Sequence, residues 1–125
     1  MTAARPTATD AELAILKLLW ENESLSAREI REHLYPQGTP SDHATVQKLL
    51  QRLEQKKLVA RDRRSFAHSF RATVTREELA GEQLEALASK LTDGSLVPFI
   101  LHAVSARPLT AEERSEIRRL LDRRK

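Results

Sequence analysis

Few residues of this 125-residue chain could do covalent chemistry, and their arrangement speaks against it. Ser41-Asp42-His43 holds the three residue types of a catalytic triad, but a triad is assembled in space from separated segments. The tripeptide reads instead as a helix start, with Ser41 as the cap and Asp42 in the first turn, where a carboxylate meets the positive end of the helix. His33, His43, His68 and His102 share no ligand spacing such as i, i+4, so no metal site is expected of them. There is no cysteine, which removes disulfides, thiolate metal sites and cysteine nucleophiles together and suits a reducing cytoplasm. The three glycines form no phosphate loop. The expectation is a protein without catalytic residues, metal or cofactor.

What chemistry remains is electrostatic. The net charge is +3 and the pI about 9.6, a mild bias that hides a steep gradient. Residues 1–45 carry a net −3, residues 74–125 a net of zero, and residues 46–73 a net of +6, from eight basic side chains against Glu54 and Asp62. Such a concentration suits a polyanion-binding face. On charge alone a solvated basic surface fits equally well.

The elements that would carry this charge can be placed from capping boxes and hydrophobic spacing. Thr9-Asp10-Ala11-Glu12 opens a helix to about Asn22, with Leu13, Leu16 and Trp20 on one stripe and Ile15 and Leu19 widening it. Trp20 reads as core. Ser26-Ala27-Arg28-Glu29 starts a short helix with Ile30 and Leu34 inward, and Tyr35-Pro36-Gln37-Gly38 ends it as a turn. A third helix, about Ser41 to Lys57, buries Val46, Leu49, Leu50 and Leu53. Strands Leu58–Asp62 and His68–Ala72 follow, joined by a basic connection without a hairpin glycine. Thr75-Arg76-Glu77-Glu78 opens a helix to about Leu91, Ser95 to Val104 forms an almost wholly apolar helix, and Thr110-Ala111-Glu112-Glu113 opens the last, with a basic end at Arg123-Arg124-Lys125.

Helix, helix, helix, hairpin is the order of a winged helix-turn-helix, in which the third helix enters the DNA major groove and the hairpin touches the backbone. The outward face of the third helix carries Ala44, Thr45, Gln47, Lys48, Gln51, Arg52 and Gln55. These offer amide, hydroxyl and cationic groups to base edges and phosphates, and Glu54 is expected on the side turned from them. Ser41 and His43 at the helix entrance and Arg63 and Arg64 on the wing complete the expected DNA contacts. The alternative is a winged-helix interaction module that presents its basic face to an acidic protein.

In the C-terminal part, Leu96, Val97, Phe99, Ile100, Leu101, Ala103 and Val104 cover every side of their helix. A helix apolar all round must be buried, and some fifty residues cannot surround it alone. A homodimer is therefore expected, held by Leu84, Leu87, Leu91, Leu96, Phe99, Ile100, Leu101 and Val104, with His102 in its core; the alternative is packing of this helix onto the winged-helix domain of the same chain. The expected architecture is mainly α, with a winged helix-turn-helix domain over residues 7–73 and a C-terminal three-helix dimerisation region over 74–125. The longest apolar run, Leu96 to Leu101, is too short to span a bilayer. Met1 to Arg5 is followed by no apolar stretch of the secretory kind, so a cytoplasmic protein with no membrane partner is expected.

The ordered motifs resemble one family. Thr9 through Trp20 is similar to the opening helix of the BlaI/MecI penicillinase repressors, Thr45 through Val59 to their recognition helix and its exit, Val74 through Leu79 to the link into their dimerisation region, and Leu109 through Glu113 to the start of their last helix. The resemblance implies a dimeric bacterial transcriptional repressor bound to an inverted-repeat operator in double-stranded DNA. It also implies release by a regulatory protease cutting in the dimerisation region. Alignment puts that cut at His102–Ala103, where neither residue matches the family's Asn-Phe. Three further departures stand out: Lys57 replaces the glycine usual after the recognition helix, Ser41-Asp42-His43 stands where relatives often carry a tryptophan-containing or basic entry, and the copper-responsive branch's C-terminal cysteine motif is missing.

Overall fold

A computed structural model describes residues 7–123. Met1 to Arg5 and the last two residues of the basic end, Arg124 and Lys125, lie outside the described residues. The elements run α1 (Asp10–Glu21), β1 (Leu25–Ser26), α2 (Ala27–Leu34), α3 (Pro40–Gln55), β2 (Val59–Asp62), β3 (Ser69–Ala72), α4 (Arg76–Leu91), α5 (Val97–Ala106) and α6 (Ala111–Arg123). The fold is mainly α, with the winged helix-turn-helix order expected.

Capping boxes open most of these helices. Thr9 Oγ1 accepts the Glu12 amide at 3.2 Å while the Thr9 amide donates to Glu12 Oε1 at 2.8 Å, and Ser26 with Glu29 repeats the exchange at α2. The boxes at Thr75 and Thr110 close in the same way before α4 and α6. At α3 the expected cap is corrected. Thr39, not Ser41, caps the helix: its hydroxyl accepts the Asp42 amide at 3.3 Å and its own amide donates to Asp42 Oδ2 at 2.9 Å. Pro40 starts the helix, because its fixed φ suits the first turn and it has no amide to leave unbonded. The Thr39-Pro40-Ser41-Asp42 box begins two residues upstream of the Ser41-Asp42-His43 tripeptide and shares Ser41 and Asp42 with it.

The C-terminus of α3 also departs from expectation, stopping at Gln55 rather than Lys57. Lys57 takes φ 63°, the left-handed conformation that glycine would adopt without strain, at a cost of about 1 kcal/mol. Two bonds fix it there: the Leu58 amide to the Leu53 carbonyl and the Lys57 amide to the Glu54 carbonyl, both 3.0 Å. Leu53 and Leu58, fully buried, make the hydrophobic contact that accompanies this closure. Burial of two leucines outweighs the strain at one lysine.

The sheet has three antiparallel strands in the order β1-β3-β2, with Leu25 opposite Phe70 and Val59 opposite Ala72. β1 adds a strand to the expected hairpin; with two residues it shows no alternation to read. Under the sheet, Ile15, Leu16 and Leu19 of α1, Ile30 of α2, Val46, Leu49, Leu50 and Leu53 of α3, and Phe70 of β3 form one buried cluster. One charge is buried with them. Glu12 is inaccessible, and its Oε1 accepts the Lys56 ammonium at 2.6 Å. Burial pushes the Glu12 carboxyl up, but the Lys56 and Thr9 hydrogen bonds outweigh that and hold it below its ordinary value.

The chain forms two compact units, one ending at Gln83 and the other starting at Leu84, so the division falls inside α4. Val74 and Leu79 belong to the buried cluster of the first unit. Trp20 joins them: its indole Nε1 donates to the Val74 carbonyl at 2.8 Å, and the Arg76 guanidinium lies 5.3 Å from its ring centroid. In the second unit, Asp93 at φ 54° and Gly94 at φ 91° turn the chain after α4. α5 starts two residues later than expected, with Pro98 in its first turn.

Candidate nucleic-acid interface

α3 presents its expected face. Ser41, Ala44, Thr45, Gln47, Lys48, Gln51, Arg52 and Gln55 are exposed and His43 is half-buried, because the 3.6-residue period that buries Val46, Leu49, Leu50 and Leu53 turns these positions outward. Thr45 donates its hydroxyl proton to the Ser41 carbonyl at 3.0 Å, which fixes the side chain and leaves its oxygen free to accept. Beside this face lies a depression of about 720 Å³, walled by Gln47 and Gln51 of α3, by Arg28 of α2 and by Arg63 and His68 of the wing.

Glu54 is corrected. It stands on the Gln47–Gln51 stripe, one turn further along, and lines the same depression. Its charge is met there by Arg61 of β2, Nη2 to Oε1 at 2.8 Å. The Arg61 guanidinium also lies 4.8 Å from the Phe70 ring centroid and its Nη1 3.4 Å from His68 Nδ1. This group ties both wing strands to the last turns of α3, and so sets where the wing stands relative to the helix. Sequence spacing could not show it, since the pairing exists only once the hairpin has folded back on α3.

The missing hairpin glycine is replaced by Asp62. Its Oδ1 accepts the Arg64 amide at 2.9 Å, and its carboxylate takes Arg64 Nε at 3.0 Å and Nη2 at 2.8 Å. The Arg64 side-chain and amide hydrogen bonds bring the Asp62 carboxyl down to about 2. Arg64 is thus a clasped cation rather than a free one. Of the basic segment, Lys56 is engaged by Glu12, Arg61 by Glu54 and Arg64 by Asp62. Lys48, Arg52 and Arg63 are exposed and have no ion pair among the described residues.

In the second unit, Leu84, Leu87, Leu91, Ile100, Leu101 and Val104 are exposed, between 39% and 68% of their surface. Leu96 and Phe99 are half-buried, and His102 is exposed. α6 adds Ile117, Leu120 and Leu121 to this apolar surface, residues absent from the expected set. Among the described residues no group of His, Asp and Glu could hold a metal, and no helix is long and apolar enough to cross a membrane.

The chain is similar to known proteins over nearly all of its length. A sequence profile of the penicillinase repressors matches residues 8–123. The chain is 22% identical over 120 residues to the penicillinase repressor of Bacillus licheniformis, covering 96% of this chain and 93% of that one. It is 33% identical over 114 residues to the transcriptional regulator BlaI of Mycobacterium tuberculosis H37Rv, covering 90% of this chain and 80% of that one.

Proposed function

Because this chain belongs to the penicillinase repressor family, a family of transcriptional regulators and not of enzymes, we propose that it is a DNA-binding repressor that acts as a homodimer on an inverted-repeat operator. The observation that carries this reading is the exposed α3 face, where Thr45, Gln47, Lys48, Gln51 and Arg52 stand together and the one carboxylate on their stripe is neutralised by Arg61. Gln47 and Lys48, in the first half of the helix, suit base edges. Ser41, His43 and Ala44 border the groove floor at the helix entrance, Arg52 reaches a phosphate, and Arg63 holds the backbone from the wing.

The dimer is supported by the second unit. Its exposed leucines, with Ile100 and Val104, form an apolar surface of the kind that obligate interfaces bury. Two reading heads about one DNA turn apart, ~34 Å, then meet two half-sites. A regulator of this kind works beside the chromosome, in the bacterial cytoplasm.

The test is a mobility-shift titration of the full chain against DNA fragments that it selects from a random pool. Expected is a retarded complex with a steep salt dependence and a two-fold-symmetric consensus. Binding equal on selected and random DNA, or none beside tight capture of an acidic protein, would overturn the repressor reading in favour of an interaction module.

A further inference from the structure

We propose that Phe66, at the tip of the wing, is an apolar reader of the DNA minor groove next to the major-groove segment that α3 enters. The inference rests on the DNA-binding reading above and adds a residue and a groove to it.

Phe66 is 106% exposed, as open as in an extended peptide. An aromatic ring left wholly in water forgoes the largest burial gain available to a side chain of its size. The loop beneath it is nonetheless braced: Asp62 clasps Arg64, and Ser65 Oγ donates to the Ala67 carbonyl at 2.6 Å. Phe66 also lines the same depression as Gln47 and Gln51, so the ring and the base-facing amides share one side of the first unit.

The wing tip is a poor pure phosphate clamp. With Arg64 held by Asp62, it offers Arg63 as its one cation without an ion pair among the described residues, and a phenyl ring gives a phosphate nothing. The minor groove asks for this combination. Its walls are deoxyribose C–H, its narrow A·T stretches draw in arginine, and apolar side chains wedge at its deformable base steps. Reach is adequate. The minor groove flanking a recognition helix lies about half a turn away, roughly 17 Å, and β2 with its four residues spans ~13 Å before the loop begins. A protein partner is a worse fit, because Phe66 is the one exposed large apolar side chain among the described residues of the first unit, with Arg63, Arg64, Ser65 and His68 as its chain neighbours.

The experiment compares wild type, Phe66→Ala, Phe66→Leu and Arg63→Ala, all full length, on DNA selected by the wild type. Affinity, salt slope and hydroxyl-radical protection, which reports deoxyribose in the minor groove, are measured. Phe66→Ala should weaken binding on the order of tenfold, as for half-burying one aromatic ring. It should keep the wild-type salt slope and lose protection at the flanking minor groove, while Phe66→Leu retains part of both. Arg63→Ala should instead lower the salt slope by about one. Wild-type affinity and footprint in Phe66→Ala would overturn the inference and leave the repressor reading standing. So would conversion of Phe66→Ala to monomers in sedimentation, which would assign the ring to a contact between copies. Failure of the wild type to bind any DNA would overturn both.

Discussion

At the scale of residues, the side chains proposed to meet DNA are sorted by what already holds them. Gln47 and Lys48 are exposed without a partner among the described residues, so nothing intramolecular competes for their donors. Gln47→Ala and Lys48→Ala should each cost on the order of 1–3 kcal/mol on selected DNA and little on random DNA. Arg63→Ala should weaken both alike and flatten the salt slope. Arg64 belongs to a different class, because Asp62 clasps it. Asp62→Asn keeps an oxygen for the Arg64 amide but releases the guanidinium, so all DNA should bind more tightly and the salt slope should steepen by about one; quantitative mobility shifts at several salt concentrations check both statements. The exposed α3 face was legible because helical period alone decides it. The pairs Glu54–Arg61 and Asp62–Arg64 were not, because opposite charges seven and two positions apart become partners only through the path of the hairpin.

At the scale of elements, end chemistry decides where α3 and α1 begin and what they withstand. Thr39→Ala should lower stability by about 1 kcal/mol, while Ser41→Ala should be near neutral; urea midpoints of the two variants distinguish them. The pH response follows from Glu12, whose folded-state carboxyl lies below its ordinary 4.5. A depressed carboxylate contributes stability that is present above that value and is lost as the pH falls through the folded one. Wild type should therefore lose stability below about pH 4.5 more steeply than Glu12→Gln, which at neutral pH should be less stable by about 1–3 kcal/mol. Thermal unfolding between pH 3 and pH 7 should show the two curves converging as the pH falls. The Thr9, Ser26, Thr75 and Thr110 boxes could be read directly, since each is a local four-residue signal. The α3 cap was misplaced because Ser41, a cap residue type followed by Asp42, drew the start two residues too far along, whereas Thr39 with Pro40 after it and Asp42 at the third helical position forms the full box. β1 left no trace in the sequence, as it pairs for two residues on the strength of β3 alone.

At the scale of the molecule, the proposed dimer rests on the exposed apolar surface of the second unit. Phe99→Asp puts a charge where the proposed interface is dry, and sedimentation velocity at micromolar concentration should show monomers or an insoluble chain in place of a dimer. A chain ending at His102 should keep the helices and wing of the first unit, all of which end before Gln83 apart from α4. It should nonetheless lose operator binding at physiological salt, because half the phosphate contacts and the two-site advantage go together. Near-equal affinities of the truncated and full chains would show that repression is not governed by pairing. A surface-forming helix of this kind was visible as an all-round apolar run, and Ile117, Leu120 and Leu121 of α6 were legible by their spacing as an apolar stripe, though not as part of the same exposed surface.

The lone tryptophan has a practical consequence. Trp20 is held by the Val74 carbonyl and covered by Arg76, and Tyr35 is the only other strong ultraviolet fluorophore, also in the first unit. Indole emission therefore reports the head and is blind to the tail, while far-ultraviolet dichroism sums the helices of both. Heating the protein with both signals recorded separates the melting of one half from the melting of the other without any label. Coincident curves would mean that the two halves unfold as one cooperative body, and split curves would give each its own melting temperature.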